Sequence, residues 1–581
     1  MILAKMSSSL GIPGEVGRNS MAVRYWTLVG VFTSSFILLL VTLNRSVNQF
    51  DEGLILFGSV RVSFGDIPYR DFYALYGPAQ FYVLAALFKL VGPSILVERL
   101  WDLIIRSSTV LVIYLIVDRV WDRWIALFVA ILSGIWLSDF MFYGYPVFPC
   151  LLFSLLSLYC LAPVYRGRHG VAPLLASGIC VGITALFRHD VGIATAAGGA
   201  FTLGLFHMTR APEVQRPRAL LRSAAIYIGG VVLAVGPALA LLIAAGAGHD
   251  MLVNLVLIPA RIYVPMCSLP FPSLVGVARE VIHLDPGSIH SLQELVVYLP
   301  ILAAVLGAIV ASTLGKEERF AGSVEARTLN SQRRWILIQL SVFSLLFFFK
   351  GFVRVSLIQM ALSIVPSLMI VSVAIWQIPL RFPVARFFSR MGFACLLIIS
   401  LPPIHHAYKR FAQNLVWATD GNPPSNSVSG LTRSVNGSCF PSPGLERIRC
   451  FPISEEDLDA ALYIQEHTAE NEEIFVGLNH HDRIFVNNVL FYFVTKRLSA
   501  TKWHQFDPGV QTTREIQSEI IGELQMRRPR YVVLSSQWEN VREPNESALS
   551  SGVNLLDQFI HANYRGVANF GTTAILEYRE Q

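Results

Sequence analysis

Long apolar runs decide most of what this chain can become. Between residues 25 and 407 they recur eleven times, each 15 to 24 residues long, and a bilayer core takes roughly twenty apolar residues as helix. Inside hydrocarbon the backbone must satisfy its own hydrogen bonds, so runs of this kind become helices. A chain of 581 residues that is 53% hydrophobic and only 15% charged is not an ordinary soluble protein. The expected fold is mainly α: a polytopic transmembrane helical bundle of about 11 spans, followed by a small C-terminal α/β domain.

The Lys and Arg residues set the sides. Spans are expected at 25–43, 97–117, 124–139, 145–163, 171–187, 191–208, 223–246, 296–314, 335–349, 357–376 and 391–407. A shorter apolar segment, 78–92, reads as a helix lying at the interface. With that segment left out, every connection assigned to the cytoplasm is basic: DRVWDR at 118–123, YRGRH at 165–169, Arg210 to Arg222, Lys316 to Arg334, and Arg381 to Arg390. The net charge of +6 is therefore an orientation signal and not a nucleic-acid surface. No small-residue cleavage site follows the first run, so it reads as a retained span. The long connection from 247 to 295 is Pro-rich and amphipathic and reads as a loop skimming the membrane surface.

This register divides the chain into a cytoplasmic N-terminus (1–24), a transmembrane domain (25–410) whose first outer loop is 44–96, a linker (411–453) and a periplasmic α/β domain (454–581). The linker contains DGNPPSNSVSG. In the last domain Ser454 caps a helix to Ala469, helices are expected at 511–526 and 553–561, and EEIFVGL, RYVVLSS and AILEY read as strands. No GxGxxG or P-loop fingerprint marks a nucleotide site there. Of seven cysteines, Cys439 and Cys450 flank the loop CFPSPGLERIRC outside any span. They are expected to pair if that side is oxidising.

The chemistry gathers in one stretch. After the first span the chain reads FDEG, then PYRDFYALYGP. Asp51 alone would be a solvated carboxylate marking a span end, but Glu52, Arg70, Asp71, Tyr73 and Tyr76 share its loop. Arg188, Asp190, Lys350 and Arg354 fall at other span ends on the same side. Carboxylates and cations at one membrane face suit an anionic lipid headgroup and a hydroxyl to be activated. Asp139 reads as a plain loop residue, His405 and His406 as interfacial. In His480-His481-Asp482, adjacent histidines do not readily face one metal.

FDEG after the first span, the PYRDFYALYGP loop, a short amphipathic helix and a basic turn between spans two and three resemble the GT-C superfamily of membrane glycosyltransferases. The likeness is to protein O-mannosyltransferases and aminoarabinose transferases, in the bacterial family-39-like branch. It is strongest over 40–130 and weaker through the later spans. The resemblance implies that Asp51 is the catalytic acid residue with Glu52 beside it. The second acidic position that relatives carry matches Asp139 poorly. Where relatives place Asp and His near Arg354, this chain has Ser356 and Gln359.

The expected function is an inverting hexosyl- or pentosyltransferase that moves a sugar from a polyprenyl-phosphate carrier to an acceptor hydroxyl at the outer face of a bacterial inner membrane. Asp51 and Glu52 are the expected catalytic residues. Arg188, Lys350, Arg354 and Arg70 are the donor-phosphate ligands, with Asp71, Tyr73, Tyr76 and Asp190 in support. The partners are the lipid-linked donor, a lipid, glycan or protein acceptor, and membrane lipids, without nucleic acid. No metal site and no cofactor is marked by a motif, and use of a divalent metal is left open. A lipid or solute transporter, or a lipid-linked glycan polymerase or ligase, is the alternative. A transporter predicts internal repeats and broken paired helices, and none is evident.

Overall fold

The computed structural model describes residues 18–167, 170–210, 216–283, 293–377, 383–420, 444–448 and 450–579. The linker sequence DGNPPSNSVSG and Cys439 lie outside the described residues. Cys450 is disulfide-bonded, while Cys150, Cys160, Cys180, Cys267 and Cys395 are free.

The chain opens with α1 (Arg18–Val41), α2 (Asp51–Phe64), α3 (Pro78–Val91), α4 (Ile95–Asp118), α5 (Arg123–Asp139) and α6 (Val147–Leu161). Then come α7 (Val171–Phe187), α8 (His189–Arg210), α9 (Arg216–Ala244), α10 (Gly248–Cys267) and α11 (Leu274–His283). The bundle ends with α12 (Leu299–Phe320), α13 (Val324–Gly351), α14 (Leu357–Trp376), α15 (Pro383–Ile399) and α16 (Leu401–Asp420). Among the described residues nine helices are long and apolar enough to cross a bilayer, or ten if the bent pair α15–α16 is one span. Ten of the eleven expected runs fall on helical segments and the last, 391–407, straddles the bend between α15 and α16; α5 and α7 reach only 17 residues and α6 15.

One expectation fails. The segment 247–295 was read as loop, but its first part is α10, a continuous helix built partly of π turns. It is apolar enough to cross a membrane, yet both ends lie on the same face of the molecule. Arg70 donates to Ala245 O just before it (2.8 Å), and Arg354 donates to Cys267 O at its end (2.9 Å). Ile258 and Ile262 pack into the C-terminal domain's core. So α10 runs along that face, beneath the C-terminal domain.

The last domain contains α17 (Glu455–His467), β1 (Glu473–Leu478), α18 (Leu490–Thr495), β2 (Leu498–Ser499), α19 (Arg514–Arg527), β3 (Tyr531–Ser535), α20 (Leu555–Asn563), β4 (Tyr564–Phe570) and β5 (Thr573–Tyr578). Its five strands lie in the order β2-β1-β3-β5-β4, parallel from β2 to β3 and antiparallel beyond. Ser454 caps α17 by accepting from Asp457 N, as its position before an acidic first turn suggests.

The helix that ties the two parts together is α2. Its residues 52–62 are all buried, an unusual state for a helix at a bundle's end. On one side it packs on α3; on the other it meets α18. Leu490 N donates to Gln49 O (2.9 Å), and Phe57 stacks on Tyr492 at 4.7 Å. A Cβ on Gly53 would lie 2.4 Å from Leu490 N, so the glycine of FDEG is where the C-terminal domain's backbone touches the bundle. Arg61 closes the far end of α2, bonding Asp66 (2.6 Å), Asp71 O (2.8 Å) and Thr501 O (3.3 Å).

Candidate active site

Asp51 occupies the first turn of α2, where the unpaired N–H groups favour a negative charge. Asn48 begins the helix: its side-chain oxygen accepts from Phe50 N (3.0 Å) and Asp51 N (2.7 Å). Asp51 is half-buried and accepts from the Tyr76 hydroxyl at 3.3 Å. Burial pushes its carboxyl above the usual carboxylate range, against hydrogen bonds from Tyr143 and Tyr76 and the charge of Arg354.

Tyr76 is placed by the turn that follows it. Gly77 N donates to Phe187 O at 3.1 Å, and a Cβ there would lie 2.3 Å from Leu186 O. Pro78 then starts α3. The close approach brings Tyr76 to the C-terminal end of α7, where Arg188 lies over its ring at 6.0 Å. Tyr145 packs edge-on against both Tyr76 (5.6 Å) and Tyr143 (5.5 Å).

Beside these tyrosines runs a closed polar ring. Arg188 donates to Tyr145 Oη (3.4 Å) and forks onto Asp190 (3.1 and 2.9 Å). Lys350 lies 3.7 Å from Asp190 and donates to Gln359 Oε1 at 3.2 Å. Gln359 returns to Tyr145 Oη at 2.7 Å. Tyr145 Oη thus accepts twice, which leaves its own hydrogen free to donate. Arg354 stands near enough for its charge to reach Asp51. It is clamped by Glu543 of the C-terminal domain through two bonds, 2.8 and 2.7 Å.

The structure therefore brings Asp51, Tyr76, Arg188, Asp190, Lys350 and Arg354 to one region, from five separate segments. Glu52, adjacent in sequence, points elsewhere. It is fully buried and forks onto Arg99 of α4 (2.8 and 2.8 Å), with Asn48 N on the same carboxylate at 3.0 Å. Such a pair, once formed, is costly to break, and it fixes α2 to the bundle. Arg70 is exposed, held by Asp71 (2.8 Å) and Ala245 O, and makes no contact with the Asp51 cluster among the described residues. Tyr73 is buried under Trp503 at 5.1 Å. Asp139 is more than a loop residue. Its buried carboxylate binds His406 (3.0 Å), Arg410 (3.2 Å) and the Gln293 amide, joining α5 to α16.

Tyr143, Tyr145, Gln359 and Glu543 were not singled out as site residues in the sequence. The one available signal was YGYP at 143–146, a Tyr- and Gly-bearing stretch that ends in Pro, as YALYGP does. Of the other carboxylates and histidines, His480, Asp482 and Asp557 bring their ligand atoms within 4.8 Å of one another. His481 also bonds Asp557, at 2.6 Å, so the two adjacent histidines both reach the one carboxylate. No comparable three-residue group surrounds Asp51 among the described residues.

No protein-family model matches the chain, and no curated protein matches its sequence. Solved structures do match in shape. ArnT from Cupriavidus metallidurans in the apo state superposes with a TM-score of 0.53 at 13% identity, over 96% of this chain and 98% of that one. ArnT bound to undecaprenyl phosphate gives 0.49 at 12% identity, over 95% and 97%. The Archaeoglobus fulgidus oligosaccharyltransferase tethered to an acceptor peptide gives 0.48 at 13% identity, over 96% and 74%. The apo ArnT likeness spans nearly the whole of both chains, bundle and C-terminal domain together: this chain has the fold of ArnT, a bundle of apolar helices long enough to cross a membrane followed by a small α/β domain.

Proposed function

We propose that the protein is an inverting glycosyltransferase acting at the outer face of a bacterial inner membrane, with a polyprenyl-phosphate sugar as donor and a hydroxyl group as acceptor. The observation that carries this reading is the pairing of Asp51, at the N-terminus of a buried helix, with the cations Arg188, Lys350 and Arg354 around one cluster of tyrosines. The donor's lipid phosphate sits against the cations. The acceptor hydroxyl approaches the anomeric carbon from the Asp51 side. As its oxygen bonds to that carbon, the bond to the phosphate oxygen breaks and Asp51 takes the hydroxyl proton. The lipid phosphate leaves with its electron pair and configuration inverts.

A carboxylate raised above its usual range is a better base than a free one, and removing a proton late in the step suits it. Positive groups aimed at the leaving phosphate stabilise charge that grows in the transition state, an effect commonly worth several kcal/mol. Tyr145, with its hydrogen free, is a neutral donor to the same oxygen. Glu52 and Arg70 take no part in this scheme: one is committed to Arg99, the other to Asp71. The test is transfer from undecaprenyl-phosphate-linked sugars by the purified protein, with mass spectrometry of surface glycans and lipids from cells with and without the gene to identify the product. Unchanged glycans and lipids on deletion, with no turnover of any such donor, would reject the reading.

A further inference from the structure

A second polar group lies in the C-terminal domain and shares no residue with the Asp51 cluster. Three segments meet there. The one after β1 carries His480, His481 and Asp482, the first turn of α20 carries Asp557, and the connection from β3 to α20 carries Glu539 and Ser550. His480, Asp482 and Asp557 each bring one ligand atom within 4.8 Å of the other two. Among the described residues no Lys or Arg pairs with Asp482, Asp557 or Glu539; their ion-pair partners are histidines. Arg542, the nearest candidate in sequence, turns instead to the carbonyls of Glu539 (2.7 Å) and Val541 (2.9 Å).

The contacts behind this group hold it in place. His481 is fully buried, and Leu478 N donates to its Nε2 at 3.1 Å. That fixes the imidazole as neutral with its hydrogen on Nδ1. Nδ1 donates to Asp557 Oδ1 at 2.6 Å, and the His481 backbone N–H donates to Oδ2 at 3.1 Å. Asp557 is thus aimed by a buried histidine, and each oxygen keeps a lone pair. Ser550 Oγ donates to Asp482 Oδ2, which leaves Oδ1 without a donor among the described residues. The His480 ring makes no hydrogen bond among the described residues. Glu539 Oε1 stands 3.7 Å from its Nε2 and is itself buried without a donor. Three carboxylates with only neutral donors leave negative charge for a cation to offset, and a buried carboxylate oxygen without a partner is a departure that calls for one.

The donor set selects the ion. Calcium and magnesium are held by oxygen alone, whereas zinc takes imidazole nitrogen and carboxylate oxygen together. At zinc bond lengths of about 2.0–2.2 Å a tetrahedron sets its ligand atoms about 3.3 Å apart. Rotation of the His480 side chain, 52% exposed, closes the observed spacing to that value. We propose that His480, Asp482 and Asp557 bind a zinc-type divalent cation, with water in the fourth position. His481 orients Asp557 from behind, as the outer contacts of metal-binding carboxylates do. His480 also lines an open cleft with Arg483, Trp538 and Glu539, and this gives the ion its way in. The ion joins the end of β1 to the start of α20 and so braces the connection between β3 and α20. That connection is the one that delivers Glu543 to Arg354. The site stands apart from the reaction proposed at Asp51.

The experiment uses the full-length protein in detergent, purified without a polyhistidine tag, stripped with a chelator and then given zinc chloride alone. Elemental mass spectrometry after gel filtration counts the bound zinc, and competition with a chromogenic chelator reads its affinity. Wild type should keep one zinc per chain, and zinc should raise its thermal midpoint, because an ion bound only by the folded state stabilises it. His480→Ala and Asp557→Asn should each weaken zinc binding at least tenfold and remove the rise in midpoint. His480 is exposed and free of hydrogen bonds among the described residues, so His480→Ala decides the matter if Asp557→Asn fails to fold. His405→Ala, at another exposed histidine, should bind zinc as wild type does. Equal zinc binding by His480→Ala and wild type would mean an adventitious ion only and overturns the proposal. Failure of the wild type to keep zinc, or its displacement by equimolar calcium, overturns it as well.

Discussion

Replacing Asp51 by Asn keeps the shape of the side chain and its bond from Tyr76, but removes the proposed proton acceptor. Loss of a general base lowers turnover by roughly two to four orders of magnitude, while undecaprenyl phosphate binding, held by cations, should stay near wild type. Transfer assays and native mass spectrometry on one purified preparation check both. Arg354 gives the opposite balance. Arg354→Ala should weaken undecaprenyl phosphate binding as well as turnover. Glu543→Gln should strengthen that binding, by about threefold to tenfold, because a carboxylate that now engages both guanidinium nitrogens no longer competes with phosphate. An affinity unchanged in Glu543→Gln would place the phosphate away from Arg354. Asp51 was legible in the sequence because an acid just past an apolar span is costly unless it works or pairs. Glu52 sits beside it under the same rule and satisfies the other half, through Arg99, 47 residues further on. Nothing local in FDEG separates the two. The cation partners on distant span ends were legible by side and charge; Tyr145 and Gln359, being neutral, carried no such mark.

At the scale of elements, α2 is where local preference and packing disagree. In a helix interior Gly→Ala ordinarily stabilises by about 0.5–1 kcal/mol. At Gly53 the added carbon would meet Leu490 N at 2.4 Å, and overpacking of this kind costs about 1–3 kcal/mol. The backbone atom cannot swing aside as a side chain can. Gly53→Ala should therefore lower the thermal midpoint and expose the region around α18 to proteolysis, reversing the sign that helix propensity alone gives. A higher midpoint would mean that the interface between α2 and α18 yields easily. The helices that lie in long apolar runs were readable from the chain because length and capping are local signals, as at Ser454. α10 was not, because Pro259 and Pro265 and scattered polar residues within an apolar 20-residue stretch read equally well as a loop. What keeps it helical is the domain lying on it, through Ile258 and Ile262.

For the whole molecule, orientation follows from the basic connections. Cysteines introduced at exposed Ser323 and exposed Ser518 should label from opposite sides of intact membranes, with Ser518 on the outer side; labelling from one side would undo the proposed topology. How the C-terminal domain sits on the bundle carries a pH signature. The groups that meet at the joint are Asp507, with Gln505 and Gln511 on its own segment, and Asp51, Tyr73, Tyr263 and Cys267 on the elements facing it. The Asp507 carboxyl stands at about 7 when the domain is docked, against about 3.9 for a free aspartate. Between those values the docked state binds the extra proton. Stability of the joint is then greatest at low pH and falls as pH rises from about 4 to 7, by up to a few kcal/mol. Asp51 is raised in the same direction and adds to the trend, so the two must be separated by substitution. Asp507→Asn cannot lose a proton there, and its loss of stability between pH 5 and pH 8, read by thermal unfolding and by limited proteolysis at the joint, should be smaller than wild type's. Asp51→Asn should shrink it as well, and the double variant should flatten most of what remains. An equal pH dependence in all four proteins would mean that Asp507 stays hydrated when the domain docks, and that the joint is open to water.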